Sequence, residues 1–526
     1  MSHWAVAPID RGQITLFAPT LDDSLVNEHP VRLFDEVLGG IDFCDWESMY
    51  VRVAGQPPIH PRIMAAGLLY GLSLGIRSSR KVEDACGNRL DFIWLMQGHK
   101  PDHATFCKFR TQFGPQLKAL FGKIGRVGIA MGLITLNQVM LDGTDTRANN
   151  SRYQTGHRAS VEQKLAALDG QIEQFMKQTE EQDKADDQLY GQETSPVKLP
   201  PELKDLKRRQ KKLAEALKRL NELDEEGAGR NSPRGPAAPL TDPDSRVLPN
   251  KTGGYAPNYT SVLGTDADSG MIVDVQVLGN NNEVSTVLPA VANIEEQFGA
   301  RPKAVSADTA FNNGPNLQGL QEQKVEALMP SRQQFAENSA VREDVSQPVA
   351  RDQRGKLPVN PQNKCLDKAA FIYNEEQDHY TCPMGKTLEY QHDKPYNRGG
   401  VKGSSRIYEC GDCAGCPLAK RCLPKKATER RVSRDEYEEL REELAAKMKT
   451  EEARAKYKRR SHVAETPFAV LKTRMNFRQF LLRGLKKVEM ELRWTAIAYN
   501  VMKLVNFKAR TAALATSCAS GTIQLA

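Results

Sequence analysis

The sequence predicts an α/β protein, a mixed β-sheet with helices on its faces, preceded by an all-α segment and interrupted by two insertions. Three observations predict it. Between Val139 and Met329, short apolar β-runs alternate with helically spaced apolar residues in the order β-β-β-α-β-α-β. Ahead of them, up to residue 135, the apolar spacing is mainly helical. The rhythm is broken twice, once by a heptad pattern and once by a cysteine cluster. At 526 residues, 40% hydrophobic and 26% charged, the chain has material for several cores, and disorder of the whole is excluded.

In the N-terminal part, Pro30–Leu38 has helical apolar spacing and Pro61–Leu74 starts with a proline suited to a first helical turn. Ser78–Cys86, Leu90–Leu95 and Asp102–Arg110 follow as short helices joined by tight turns. Arg77, Arg80, Lys81, Lys108 and Arg110 stand at the turns or helix starts, which suits a helix-turn-helix-like DNA-binding module. A plain helical bundle with exposed basic residues fits the same pattern. The N-terminus has neither the basic nor the apolar region of a signal peptide, and the longest uncharged apolar run, Ile63–Ile76, is 14 residues, too short for a bilayer. A cytoplasmic location is expected, in which the ten cysteines are mostly reduced and clustered ones are better read as metal ligands.

The β-part begins with Val139–Leu141, which ends on Asp142 and a glycine, Gly143, read as a turn. A strand that delivers a carboxylate to its end fixes oxygen atoms to the tolerance a divalent ion demands. Asp-Gly alone is also a common turn dipeptide, so the reading depends on partners elsewhere. Two helical segments follow. Leu165, Leu168, Ile172 and Phe175 mark the first; Leu203, Leu206, Gln210, Leu213, Leu217 and Leu220 mark the second, a heptad seam with one polar core position. An antiparallel hairpin with its turn through Ser195-Pro196 and Pro200-Pro201 accounts for them, and an intermolecular coiled coil does so equally.

After a Gly/Pro/Asp-rich linker at 227–250, Tyr259–Gly264 and Met271–Leu278 flank Asp266–Gly270 as a β-hairpin. A helix from Thr286 to Phe298 leads to a second short β-run that ends on a carboxylate, Pro302–Asp308, and then to a helix at Asn316–Gln323 and a strand at Val325–Met329. This order is that of ribonuclease-H-like folds, in which the first and fourth strands are neighbours, so Asp142 and Asp308 would converge. Asp145, Asp266 and Asp274 rank lower, being respectively beyond the turn, in the hairpin and in mid-strand.

Beyond Ala336 come Cys382 and then Cys410, Cys413, Cys416 and Cys422. The overlapping Cys-x-x-Cys steps read as a structural zinc site made by Cys410, Cys413, Cys416 and Cys422, with Cys382 competing for one place; an iron–sulfur cluster is a weaker fit. A long charged helix is expected from Ser433 to Arg460, then a separate proline-started helix with Glu465 just ahead of it and Lys472 two turns along on about the same face. A final apolar helix spans Trp494–Val505. Residues 451–510 hold 15 Lys/Arg against 5 Asp/Glu, a local excess larger than the net +7 of the whole chain, and this points to an anionic partner.

Asp142-Gly-Thr, Val305-Ser-Ala-Asp308, Glu465-Thr-Pro-Phe with Lys472, and Phe480-Leu-Leu-Arg-Gly-Leu-Lys-Lys-Val resemble, in order and spacing, the bacterial insertion-sequence transposases of the DDE class. The resemblance covers about residues 15–505 and includes the helical N-terminal part and the cysteine module. It implies a helical DNA-binding domain (1–135), a ribonuclease-H-like catalytic core (136–160, 251–335 and 455–510), a helical hairpin insertion and linker (161–250), a Cys-rich insertion with a long helix (336–454) and a flexible tail (511–526). It further implies that Asp142, Asp308 and Glu465 hold two Mg²⁺ ions about 4 Å apart for cleavage at transposon ends and strand transfer. Lys472 and Arg474, with Arg77, Arg80, Lys81 and Arg110, would bind DNA, and a homodimer would handle the two ends. One departure stands out: Tyr457 and Arg460 have the mutual gap of the family's Tyr-x2-Arg-x3-Glu-x6-Lys signature but lie one residue too far upstream of Glu465, which puts hairpin-processing roles for them in doubt.

Overall fold

The computed structural model describes residues 20–50, 57–151, 153–190, 201–227, 234–249, 254–280, 282–331, 345–360, 363–398 and 401–519. Its centre is a six-stranded mixed sheet. Arg246–Pro249, Tyr255–Asp266, Val139–Arg147, Ala304–Ser306 and Glu326–Leu328 follow one another across it, and Ile272–Leu278 pairs with Tyr255–Asp266. The first and fourth core strands are adjacent and parallel, with Val139 opposite Val305 and Met140 opposite Ser306. Val139, Met140 and Leu141 have no exposed surface, as expected of a strand covered on both faces.

One face of the sheet shares a single core with the N-terminal helices and the C-terminal helix Leu485–Ala519. Among the described residues ahead of Val139 every regular element is a helix. These helices are clamped to the C-terminal helix by aromatic rings: Trp46 lies 4.8 Å from Phe113, 5.5 Å from Phe109 and 5.9 Å from Trp494, centroid to centroid. Asn500 of the same helix accepts the Ile272 N–H (2.9 Å) and donates to the Ile272 carbonyl (2.7 Å), which satisfies backbone groups at the start of the Ile272–Leu278 strand. A second core joins Leu141, Val305 and Leu328 to the helices Val287–Phe298, Gly314–Glu322 and Glu438–Lys447.

Several expectations are corrected. The Asp142 strand does not stop at a glycine turn; it runs from Val139 to Arg147, with Gly143 in mid-strand opposite Val262. The charged helix expected from Ser433 to Arg460 is a strand, Arg430–Asp435, then a helix, Glu438–Lys447, and a break capped by Thr450, whose side chain accepts the Ala453 N–H. Helix Glu451–Thr473 then passes without interruption through Glu465 and through Pro467, which lies inside it rather than at its start. Residues 511–519, expected as tail, continue the C-terminal helix, and 520–526 lie outside the described residues.

Between the Asp142 strand and the next core strand, helices Arg158–Tyr190 and Pro201–Glu225 pair within the chain. Leu168 and Ile172 pack on Leu203, and Val161 packs on Ala216 and Leu220. The polar seam position is satisfied internally, since Gln210 Nε2 donates to Asp169 Oδ1 at 2.6 Å. The predicted turn at 191–200 lies outside the described residues. The cysteine-rich insertion, which the sequence did not resolve into elements, contains a five-stranded antiparallel sheet ordered Arg430–Asp435, Val401–Cys410, Thr387–Arg398, His379–Thr381 and Ile372–Asn374.

Candidate active site

Three elements bring acids together. Asp142 is the fourth residue of its strand, two places beyond the last pairing with the Ala304–Ser306 strand. Asp308 follows that neighbouring strand and caps a single 3-10 turn, its Oδ1 accepting the Ala310 N–H at 2.8 Å. Glu465 is exposed on helix Glu451–Thr473, which crosses the same sheet and packs Ala464 against Met140 and Ala267. Burial holds the Asp142 carboxyl above its ordinary value; Arg460 and the Gly143 N–H pull it down, while the charges of Asp308 and Glu465 push it up. Asp308 and Glu465 are thus close enough for their charges to act on Asp142.

Arg460 occupies the middle of this group. Its Nη2 donates to Asp142 Oδ1 at 2.8 Å, with the two side chains 16% and 22% exposed. Tyr457, one turn earlier, packs against the second core, and burial raises its hydroxyl's pKa with smaller influences from Arg460, Asp308 and Asp142. The continuous helix explains the departure from the family spacing. Ala464, seven positions after Tyr457, takes the place facing the sheet and is 2% exposed, so Glu465 is rotated about 100° from that row. Lys472 shares the Glu465 side, and its Nζ donates to Thr144 Oγ1 of the Asp142 strand at 2.7 Å.

The sequence missed a fourth carboxylate. Glu283 begins the turn that leads into helix Val287–Phe298, and a β-carbon built on Gly143 would fall 1.7 Å from its Oε2. Gly143 thus makes a close approach rather than a turn: its bare α-carbon is the floor on which the flexible Glu283 carboxylate rests. Burial raises the Glu283 carboxyl pKa, and Asp308, Asp142 and Asp145 add to the effect. No local signal marks Glu283, because its neighbours in sequence are ordinary helix-start residues. Of the lower-ranked acids, Asp266 accepts the Leu136 and Ser269 N–H groups, and Asp274 is 1% exposed and held by Gln276 and Asn293. Both are structural.

The donor set around Asp142 is all oxygen, which suits a hard divalent cation, and its crowded negative charge is what such a cation would neutralise. Among the described residues no group of three or more His, Cys, Asp or Glu side chains is placed so that it could hold a metal ion; at Asp142 the cationic partner is the Arg460 guanidinium. Cys382, Cys410, Cys413, Cys416 and Cys422 line one cavity of about 20 Å³, so the predicted competitor Cys382 is as much part of the cluster as the other four. The Met384 N–H donates to Cys382 Sγ at 3.3 Å, and burial pushes the Cys410 and Cys422 thiols up to about 12. The nine cysteines whose side chains are described are free thiols.

The basic residues singled out in the sequence separate into two groups. Arg80, Lys81 and Arg474 are exposed. Arg77 is not available to a partner: its guanidinium donates to the Asn476 and Gln479 carbonyls at 2.9 and 2.7 Å, pairs with Glu491 at 2.7 Å, and is 8% exposed. Arg110 is half-buried, with its Nε enclosed. Among the described residues no helix is long and apolar enough to cross a membrane.

The sheet thus presents Asp142 and Asp308 from adjacent strands, with Glu465 on the helix that crosses it. Residues 381–505 match the family described as Transposase DDE domain, and residues 19–112 match the Transposase domain (DUF772). Together the two matches indicate an insertion-sequence DDE transposase. The first spans Glu465, Lys472 and the cysteine cluster, whereas Asp142 and Asp308 lie outside both. No curated protein and no solved structure gives a significant match to the chain.

Proposed function

We propose that the protein cleaves DNA at transposon ends and joins the freed 3′ ends to target DNA, using Asp142, Asp308 and Glu465 on a ribonuclease-H-like core. The observation that carries this reading is that Asp142 and Asp308, 166 residues apart in sequence, lie at neighbouring positions of adjacent parallel strands, with Glu465, a further 157 residues on, in the helix packed across them. Two Mg²⁺ ions held by these carboxylates would activate a water or 3′-hydroxyl and stabilise the leaving oxygen. Thr144 fixes the ammonium of Lys472 beside the acids, where it neutralises a phosphate; the exposed Arg474 extends the same cationic edge. Arg460 keeps Asp142 charged and oriented while the site is free of DNA. The five-cysteine cluster suits one soft tetrahedral ion such as Zn²⁺ with a structural role, and metal analysis of the purified protein checks it. The handling of two DNA ends calls for a homodimer.

A strand-transfer assay with a Mg²⁺ titration tests the reading. Asp142→Ala, Asp308→Ala and Glu465→Ala should each abolish cleavage and leave end binding intact. Nicked products without joining would instead identify a nuclease, tight binding without cleavage a non-catalytic DNA-binding protein, and full activity in one variant would remove that residue from the site.

A further inference from the structure

The inserted helical hairpin has two faces of opposite character. Residues 204–219 of its second helix hold eight Lys/Arg against two Asp/Glu, whereas residues 158–181 of its first helix hold three against five. On the second helix Lys204, Lys207, Arg208, Lys211 and Lys218 are all exposed. At 100° per residue they fall within roughly 100° of arc, on the side away from the seam formed by Leu203, Leu206, Leu213 and Leu220. From Lys204 to Lys218 the stripe is about 21 Å long. Arg209 pairs with Asp205 and Arg219 with Glu222, yet none of the five stripe residues pairs with a carboxylate among the described residues. A row of exposed cations raises a local positive potential that attracts an anionic partner.

The hairpin leaves the sheet from the Arg147 end of the Asp142 strand, five residues beyond Asp142. It is anchored there: Asn149 Nδ2 donates to the Leu481 carbonyl at 2.6 Å, Arg483 Nε donates to the Asn149 carbonyl at 2.8 Å, and the Thr241 N–H donates to Asn150 Oδ1 at 2.9 Å. The internal seam and the Gln210–Asp169 bond make it a stiff arm rather than a loose linker.

We infer that this hairpin is a DNA-binding arm whose basic stripe, Lys204 to Lys218, lies along the phosphate backbone of the duplex that the active site engages. The inference rests on the transposase reading given above. Duplex DNA carries one charge per ~1.7 Å of axis, so a stripe of this length meets several phosphates at once without reading sequence.

The test is binding of the full chain to a duplex of about 40 bp of arbitrary sequence, followed by anisotropy over ~50–200 mM KCl. The variant replaces Lys204, Lys207, Arg208, Lys211 and Lys218 by Gln, and a control replaces Glu162 and Glu173 of the first helix by Gln. Each phosphate contact contributes about 0.9 to the salt slope, so the five-fold variant should lose between about 3 and 4.5 from it and bind at least tenfold more weakly at ~100 mM KCl. The control should keep or slightly strengthen binding. Circular dichroism and light scattering on the same samples should show unchanged helicity and oligomeric state. An unchanged slope overturns the inference, as does a loss of binding that accompanies a change in oligomeric state, which would make the stripe a protein–protein surface. Because cleavage by the catalytic acids is read separately, wild-type protein that binds DNA with an unaltered slope in the variant refutes the arm alone, and wild-type protein that neither binds nor cuts refutes both.

Discussion

Replacing Arg460 by Met should destabilise the protein in a pH-dependent way that reports on Asp142. The guanidinium lies 2.8 Å from Asp142 Oδ1, with both side chains more than three-quarters enclosed. A charge-assisted bond in that setting contributes about 1.5–3 kcal/mol, more than an exposed pair and less than a fully buried one. The Asp142 carboxyl already stands above its ordinary value of 3.8 because of burial, and Arg460 is the largest influence holding it down. Without Arg460 it should rise further. A carboxyl whose pKa is raised in the native state is at ease while protonated and loses stability as pH climbs from the unfolded value through the native one. The penalty of Arg460→Met should therefore be small near pH 4 and reach about 2 kcal/mol by pH 8. Urea unfolding of the wild type, Arg460→Met, Asp142→Asn and the double variant across that range gives the coupling directly. A penalty independent of pH, or strictly additive single effects at pH 8, would refute the account of Arg460 as the counter-charge of Asp142.

Three further outcomes are expected. Gly143→Ala must displace the Glu283 carboxylate, which is the end of a flexible side chain, so stability should change by less than about 1 kcal/mol. Cleavage should fall as in Glu283→Ala, with the double variant no worse than either; additive losses would show that Gly143 and Glu283 act separately. Asp274, fully enclosed and titrating near 6 against 3.8 when unfolded, penalises the ionised native state by about 3 kcal/mol. Asp274→Asn should thus gain stability relative to wild type as pH rises from 4 to 7, and a constant difference in unfolding free energy would refute the shift. Arg77→Met leaves Glu491 enclosed without its cation and should cost about 3–5 kcal/mol in denaturant unfolding; a loss below about 1 kcal/mol would mean that Arg77 is free for another partner.

The acids and their order were legible because a strand, a second strand and a helix each announce themselves through local apolar spacing. The hairpin seam was legible for the same reason, down to its one polar position at Gln210, whose partner Asp169 the heptad pattern could not name. The strand beyond Gly143 was not, since an Asp-Gly step reads locally as a turn and only the pairing with Tyr255–Asp266 carries the chain straight through it. Likewise Pro467 reads as a helix start, yet the helix began sixteen residues earlier at Glu451 and tolerates it within. The strands of the cysteine insertion, largely polar, depend on cross-strand pairing that no local period displays.

By itself the sequence put Asp142 on one strand and Asp308 at the end of a strand expected to lie beside it, because apolar β-runs in that order have few ways to bury both faces. It also marked Glu465 and Lys472 as sharing one side of a helix. Only the tertiary structure decided what surrounds them. Arg460 reaches Asp142 because an unbroken helix lies across the sheet, Arg77 turns inward because Glu491 awaits it from the C-terminal helix, and Glu283 rests on the bare α-carbon of Gly143. The physical reason is the range of the forces involved: periodic burial is written in residues three or four apart, whereas counter-charges and close approaches are made between residues brought together only when the chain has folded.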